Sequence, residues 1–414
     1  MDNTLNINSD NTHCILPTRH LNDNYENEIL KKKVAVVIHL HYSDTFKKYE
    51  EYFRNIPEEI TIYFTTSNDE LNKKIKNFSS YRKNCRLIEK KNRGRDISSF
   101  LVACRKDILD HELVCFLHDK KEKNPSSKLD VDKWIYSQWE NMLSSKTYIY
   151  NVISCFNKND QLGLLLPPVP ASERINFAYM NNWKSNYENT VRLAKDLNLH
   201  CDINKEISPM AIGTVFWARV TALRKLFEHD WKYEDFDVEP LADDGTLSHA
   251  VERILEYVAK DSGYECKWVM TERYAEDRLG YFTSALSKAF ERLRNSLGLR
   301  YLYDLDQFDT KASELKSLYQ RHKRTYIYGA GILGRDCLHS MNFIDIKIDG
   351  FIVSEMRGNE TLVENIPVYA FNEMEFDKET LVIVATNKKY QVEIIEKFKT
   401  NQLTANTIYN WFSY

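Results

Sequence analysis

Residues Val34-Ala35-Val36-Val37-Ile38-His39-Leu40 form an apolar run broken by one histidine, directly after Lys31-Lys32-Lys33. A strand with one wetted face alternates apolar and polar residues. A strand apolar at every position is covered on both faces, as in the middle of a parallel sheet. The next eighty residues repeat that demand. Helical spacing over 45–55 leads to a strand at Ile60–Thr65, a helix at Asp69–Phe78, a strand near Arg86–Glu89, a helix at Ile97–Ile108 and a strand at Leu113–Leu117. Strands and helices in alternation predict an open α/β sheet flanked by helices.

Further along, 130–156 is helical (Val131, Trp134, Ile135, Trp139, Met142, Leu143), Gly163–Leu166 is a strand and Pro167–Pro170 a loop. Residues 171–212 carry no sustained period. Gly213–Arg219 is expected as a short strand and Thr221–Glu228 as a helix. Leu247, Ala250, Val251, Ile254, Leu255 and Val258 then follow the spacing of an amphipathic helix. His249, Glu252 and Glu256 lie off that stripe and are expected on the solvated side. Residues 1–30 are expected to be an N-terminal tail, 31–284 a first domain and 285–322 a charged helical linker. A small βαβ unit of Rossmann type is expected over 323–414, with strands at Arg324–Tyr328, Ile344–Val353 and Leu381–Ala385 and a helix at Tyr390–Lys399.

Lys plus Arg total 57 and Asp plus Glu 60, a net charge of −3, which argues against a nucleic-acid partner. The 8 cysteines are scattered without a C-x-x-C pair, so neither a disulfide framework nor a cysteine zinc site is expected, and a reducing compartment fits. Apolar runs stop well short of the ~20 residues of a membrane span. No charged start followed by an apolar stretch marks a signal peptide. A cytoplasmic protein is expected, at most peripheral at the inner face of the cell membrane, where Lys31–Lys33 would touch anionic lipid.

Five motifs are candidates for chemistry. Asn92-Arg93-Gly94-Arg95-Asp96 follows a strand and opens a helix; it is either a solvated basic turn or a cradle for a diphosphate. His118-Asp119-Lys120-Lys121 ends the next strand, where ligands of open α/β sheets bind. There Asp119 is the candidate metal ligand, for manganese or magnesium, with His118, Lys120 and Lys121 toward phosphates. Gly213 with Phe216 and Trp217 is either core or the floor of a sugar pocket. Asp243 and Asp244 head the amphipathic helix as caps or as a general base, Asp244 being preferred. Gly329-Ala330-Gly331-Ile332-Leu333-Gly334 is a G-x-G-x-x-G after a strand and before a helix, a nucleotide-binding fingerprint. Its acidic partner is Asp349 or Glu355, and a regulatory or homo-oligomerising role for the unit is as open as catalysis.

Together Val34–Tyr42, Asn92–Asp96, Leu117–Lys121, Gly213–Arg219 and Asp243–Arg253 resemble the rhamnan synthesis protein F family over a little over half the chain. The resemblance implies a GT-A-like glycosyltransferase of bacterial surface polysaccharide synthesis. Its implied donor is a nucleotide-sugar, dTDP-rhamnose or a UDP-sugar, and its acceptor a saccharide or lipid-linked saccharide. It places the Asn92–Asp96 turn beside the nucleotide, Asp119 where a metal motif usually sits, and Asp244 as base of an inverting transfer. The rival expectations are an NAD(P)-dependent oxidoreductase built on Gly329–Gly334 and a non-catalytic polysaccharide-binding scaffold.

Overall fold

Val34, Val36 and Ile38 enter one apolar core while Ala35 and Val37 enter another, so the first long apolar run is a strand buried on both faces. The computed structural model describes residues 13–20, 33–121, 128–169, 183–296, 305–400 and 407–411. The chain divides into two units, Met1–Phe282 and Thr283–Tyr414.

The first unit is built on strands β1 (His13–Leu16), β2 (Val34–His39), β3 (Thr61–Thr66), β4 (Cys85–Glu89), β5 (Leu113–His118), β6 (Leu162–Leu166), β7 (Phe216–Arg219) and β8 (Glu265–Thr271). They form one mixed sheet in the order β1-β8-β6-β7-β5-β2-β3-β4. β7 runs antiparallel to β5 and β6, and the remaining pairs are parallel. Helices Phe46–Asn55, Asp69–Ser79, Lys128–Leu143 and Lys146–Lys158 cover one face through Phe53, Ile75, Trp139 and Ile153. Helices Tyr187–Asp196 and Leu247–Asp261 and the segment after Asp96 cover the other through Leu193, Ile254 and Phe100. Each such side chain contributes about 1.5–3 kcal/mol by leaving water, so the two covered faces hold the sheet edge that carries the polar motifs.

Two expectations change here. Part of the N-terminal tail is the edge strand β1, held by β8 from the far end of the unit. The single helix expected over Ile97–Ile108 is a π-turn (Ser99–Ala103) followed by a short α-helix (Arg105–Leu109).

The second unit contains β9 (Arg324–Tyr328), β10 (Gly350–Val353), β11 (Leu362–Val363), β12 (Ile366–Ala370), β13 (Thr380–Val384) and β14 (Ile408–Asn410). Their order is β11-β12-β10-β9-β13-β14, parallel except for the β11–β12 pair. The helix Leu305–Tyr319, expected as linker, belongs to this unit: Phe308, Ala312 and Leu315 pack with Ile327, Phe351 and Trp411.

Candidate functional site

The carboxyl ends of β2 and β5 lie side by side, with His39 opposite His118. Because β7 is antiparallel to β5, with Phe216 opposite Phe116, the Gly213–Val215 segment that precedes it reaches the same edge. Residues far apart in the chain therefore meet where open α/β sheets bind ligands.

Asp119 is 5% exposed, and its carboxylate accepts from the His41 N–H (3.0 Å), the Tyr42 N–H (2.8 Å) and the Thr45 hydroxyl (3.1 Å). Burial pushes its carboxyl up, while those donors act in the opposite sense. Its chemistry is to pin the loop after β2. Donor hydrogens point where a cation would have to sit, and no group of three or more His, Cys, Asp or Glu side chains converges among the described residues. The Asp119 carboxylate is thus engaged by its own loop.

The Asn92–Asp96 turn is also engaged by its own chain. Gly94 has φ 74°, and a Cβ there would lie 2.7 Å from the Phe236 ring. Only glycine serves at that approach. Arg93 donates to the carbonyls of Phe236 (2.8 Å) and Glu234 (2.9 Å), and Arg95 to that of Ala242 (3.1 Å). The two guanidinium groups expected on nucleotide phosphates instead clasp the 234–242 segment. Asn92 is exposed. Asp96 differs: its Oδ2 is buried without a hydrogen-bond partner among the described residues and lies 3.8 Å from His118 Nε2. Lys90, beneath the turn, donates to the Arg95 carbonyl (2.9 Å), and burial pulls its ammonium down to about 8.

The two lysines after Asp119 part company. Lys121 pairs with Asp44 on the surface. Lys120 turns inward, its Nζ 4.3 Å from the centre of the Trp134 ring. Desolvation draws its ammonium down to about 8, with Asp96 opposing and Lys184, Arg253 and Arg95 adding to the effect. Trp134 and Gln138 stand four apart on the helix Lys128–Leu143 and so share a face. The Trp134 indole N–H and both polar atoms of the Gln138 amide are buried with no hydrogen-bond partner among the described residues. Gln138 is only 2% exposed. Gly213 (φ 95°) closes over this pair; a Cβ there would overlap the Gln138 amide nitrogen.

Phe216 and Trp217 do not line the site. Both are fully buried on opposite faces of β7, Phe216 against Phe100 and Phe116, Trp217 donating to the Met142 carbonyl (3.1 Å). They are core residues, and the sugar-pocket expectation for them is corrected.

Asp244 accepts from the Ser185 N–H (3.1 Å) and the Asn186 amide (2.6 Å), with Asn186 itself buried. Burial pushes its carboxyl up, but those hydrogen bonds and His249 outweigh it and hold the group below its ordinary value. Asp243 is exposed. Arg253, 4% exposed, pairs with Glu252; desolvation pulls its guanidinium down to about 10, and the Asp244 charge opposes that. Arg253 also acts electrostatically on Lys120. His249 is part-buried, its Nδ1 2.8 Å from the Thr246 hydroxyl, and Glu256 is 1% exposed, accepting from the Met210 N–H (3.1 Å). Neither is the solvated surface residue expected from the helical stripe.

A model of the rhamnan synthesis protein F family matches residues 1–264. The chain belongs to that family. Membership points to involvement in bacterial polysaccharide synthesis. Among similar proteins are two described as uncharacterized protein WxcX, from Xanthomonas campestris pv. campestris strains B100 and ATCC 33913. Each is 28% identical over 242 residues, which is 57% of this chain and 33% of theirs. The chain thus spans about a third of the length of these curated relatives. Among the described residues no helix is long and apolar enough to cross a membrane.

The family match stops short of the second unit. There the three fingerprint glycines have separate tasks. Gly329 (φ 108°) turns the chain off β9, and a Cβ on Gly334 would overlap the Gly329 carbonyl oxygen. Gly331 faces open space at the uncapped start of the helix Ile332–Phe343. That division of labour is the one a dinucleotide fingerprint requires. Of the two candidate acids, Asp349 accepts from the Thr325 N–H (2.8 Å) at the amino end of β10, whereas Glu355 follows its carboxyl end and is exposed.

Trp134, Gln138 and Arg253 are residues at the candidate site to which sequence reasoning assigns no role there. Only the i, i+4 spacing of Trp134 and Gln138, a polar amide on an otherwise apolar helix face, offers a signal.

Proposed function

We propose that the first unit is a GT-A-like glycosyltransferase that moves a sugar, with L-rhamnose from dTDP-rhamnose as first choice, to a hydroxyl of a saccharide or lipid-linked saccharide. The observation that carries this is a pair of placed charges: the Asp244 carboxylate, held by Ser185 and Asn186 just ahead of the helix Leu247–Asp261, and the part-buried Lys120 ammonium, which rests on the Trp134 ring just after β5. In the transfer, the acceptor oxygen bonds to the anomeric carbon on the face opposite the leaving group, and its proton passes to Asp244. The bond from that carbon to the diphosphate oxygen breaks, the electron pair leaving with the nucleoside diphosphate. A single displacement inverts the anomeric centre. Asp244 is ionised at neutral pH and so has a site for the proton. Positioning and fixed charge supply most of the remaining acceleration. A lipid-linked acceptor would bring the chain to the inner face of the cell membrane, where Lys33 is exposed; Lys31 and Lys32 lie outside the described residues. The second unit is proposed to bind a nucleotide at Gly329–Gly334 or to pair two copies of the chain.

The test is release of nucleoside diphosphate from a panel of dTDP-, UDP- and GDP-sugars with saccharide acceptors. Asp244→Asn is expected to lower turnover by about 10²–10⁴-fold, the usual worth of a general base, at unchanged far-UV circular dichroism. Wild-type turnover in Asp244→Asn would remove it as the base.

A further inference from the structure

Among the described lysine and arginine side chains at this edge, Lys120 is the one whose cation has neither an ion pair nor a hydrogen bond. Lys90 has a carbonyl, Lys121 has Asp44, and Arg93 and Arg95 have backbone oxygens. The Lys120 ammonium makes no ion pair among the described residues and rests on the Trp134 ring, with Asp96 the anion that favours its charged form. A desolvated cation without a paired anion is costly, and so is a buried amide or indole N–H without an acceptor. Here the two occur together: the unpartnered Trp134 Nε1 and the unpartnered, 2%-exposed Gln138 amide adjoin the ring on which Lys120 lies. One cation and several N–H donors with nothing to bind, set beside a single unpartnered acceptor (the Gln138 amide oxygen), are complementary to clustered, negatively charged oxygens that keep one hydroxyl or N–H for that acceptor. Across the site, Asp119 is already saturated by the loop after β2.

We propose that this cluster of side chains takes the donor's diphosphate without a divalent ion, Lys120 supplying the positive charge and the Trp134 indole N–H and Gln138 amide donating to the phosphate oxygens. The proposal rests on the transferase assignment and deepens it. It makes Lys120 the group that offsets charge developing on the departing diphosphate, a role a metal ion fills in many phosphate-leaving reactions. The positive charge of Arg253 adds to the field at Lys120.

The experiment is calorimetric titration of the full chain with UDP and with dTDP, in EDTA and again with manganese. Nucleotide binding in EDTA that manganese does not strengthen is expected. Lys120→Met should weaken it about ten- to a hundredfold, and Lys120→Arg should restore part of the loss. Trp134→Phe, which keeps the ring under the lysine but removes the N–H, and Gln138→Leu should each weaken binding about three- to tenfold. These two variants stay informative if Lys120→Met fails to fold. Binding that appears only with manganese overturns the proposal and leaves the transferase assignment standing, as does undiminished binding by Lys120→Met. Absence of nucleotide binding with and without metal overturns the transferase assignment and the proposal with it.

Discussion

Two turns in this chain follow the same recipe, a strand, a glycine-bearing loop and a helix: Asn92–Asp96 in the first unit and Gly329–Gly334 in the second. In sequence each suggests a phosphate cradle. In the folded chain they differ in what remains available. Around Asn92–Asp96 the glycine is backed by Phe236 and both arginines hold backbone carbonyls of the 234–242 segment. At Gly329–Gly334 two glycines are consumed by turn and helix packing, while Gly331 faces open space. A motif is local and legible; whether its polar groups are free depends on segments far away in the chain. The same division separates neighbours within one motif, since Asp119 is engaged by the His41–Thr45 loop and Lys120 is not.

The largest effect should come from treating an engaged group as a free one. Asp119→Ala is expected to destabilise the first unit by roughly 3–4 kcal/mol, because it strands two backbone N–H groups and a hydroxyl in a buried loop. Urea unfolding checks this. Near-wild-type stability would mean Asp119 does not pin the loop, and the contrast with Lys120 would collapse. Next in size is the second unit. Gly334→Ala should lower stability by roughly 2–4 kcal/mol, since its methyl meets the Gly329 carbonyl in a turn that cannot open without losing the helix contact. Gly331→Ala, at an allowed φ of −81° and in open space, should stay within about 1 kcal/mol of wild type and lean toward stabilisation. Equal losses at the two positions would show that Gly331 is structural as well.

These cases explain what could be read in advance. β2 and β5 were legible because burial on both faces leaves a run that is apolar up to its closing histidine, and β3 because β-branched and aromatic residues follow one another over Thr61–Thr66. β1 was not, since four residues in an Asn-rich stretch become a strand only through β8, some 250 positions later. The place of the candidate site followed from topology, and so did the choice of Asp119, Lys120 and Asp244 as candidates. Their tasks did not follow. Phe216 and Trp217 show why: an aromatic pair before a turn has the same spelling whether it floors a pocket or fills two cores, and only the neighbours Phe100 and Met142 decide. Gln138 was invisible for the opposite reason, because an amide matters here only by lacking the partner that buried amides ordinarily find.

Asp244 offers the smallest and finest test of the comparison, because it is both engaged, by Asn186 and Ser185, and assigned to chemistry. Its folded-state carboxyl lies below the ordinary value. The contribution to stability is therefore fully present above the unfolded carboxylate range near ~4 and is lost as pH falls through the depressed folded value. Asp244 is partly exposed, so the amount should be under about 1 kcal/mol. Urea midpoints between pH 7 and 3 should fall slightly less steeply for Asp244→Asn than for wild type. Turnover, in contrast, should be lost across the whole range in the variant, because no pH restores a base to an amide. If stability and turnover change together, in proportion, Asp244 acts by holding the Asn186 segment in place; if turnover falls far more than stability, it acts on the acceptor.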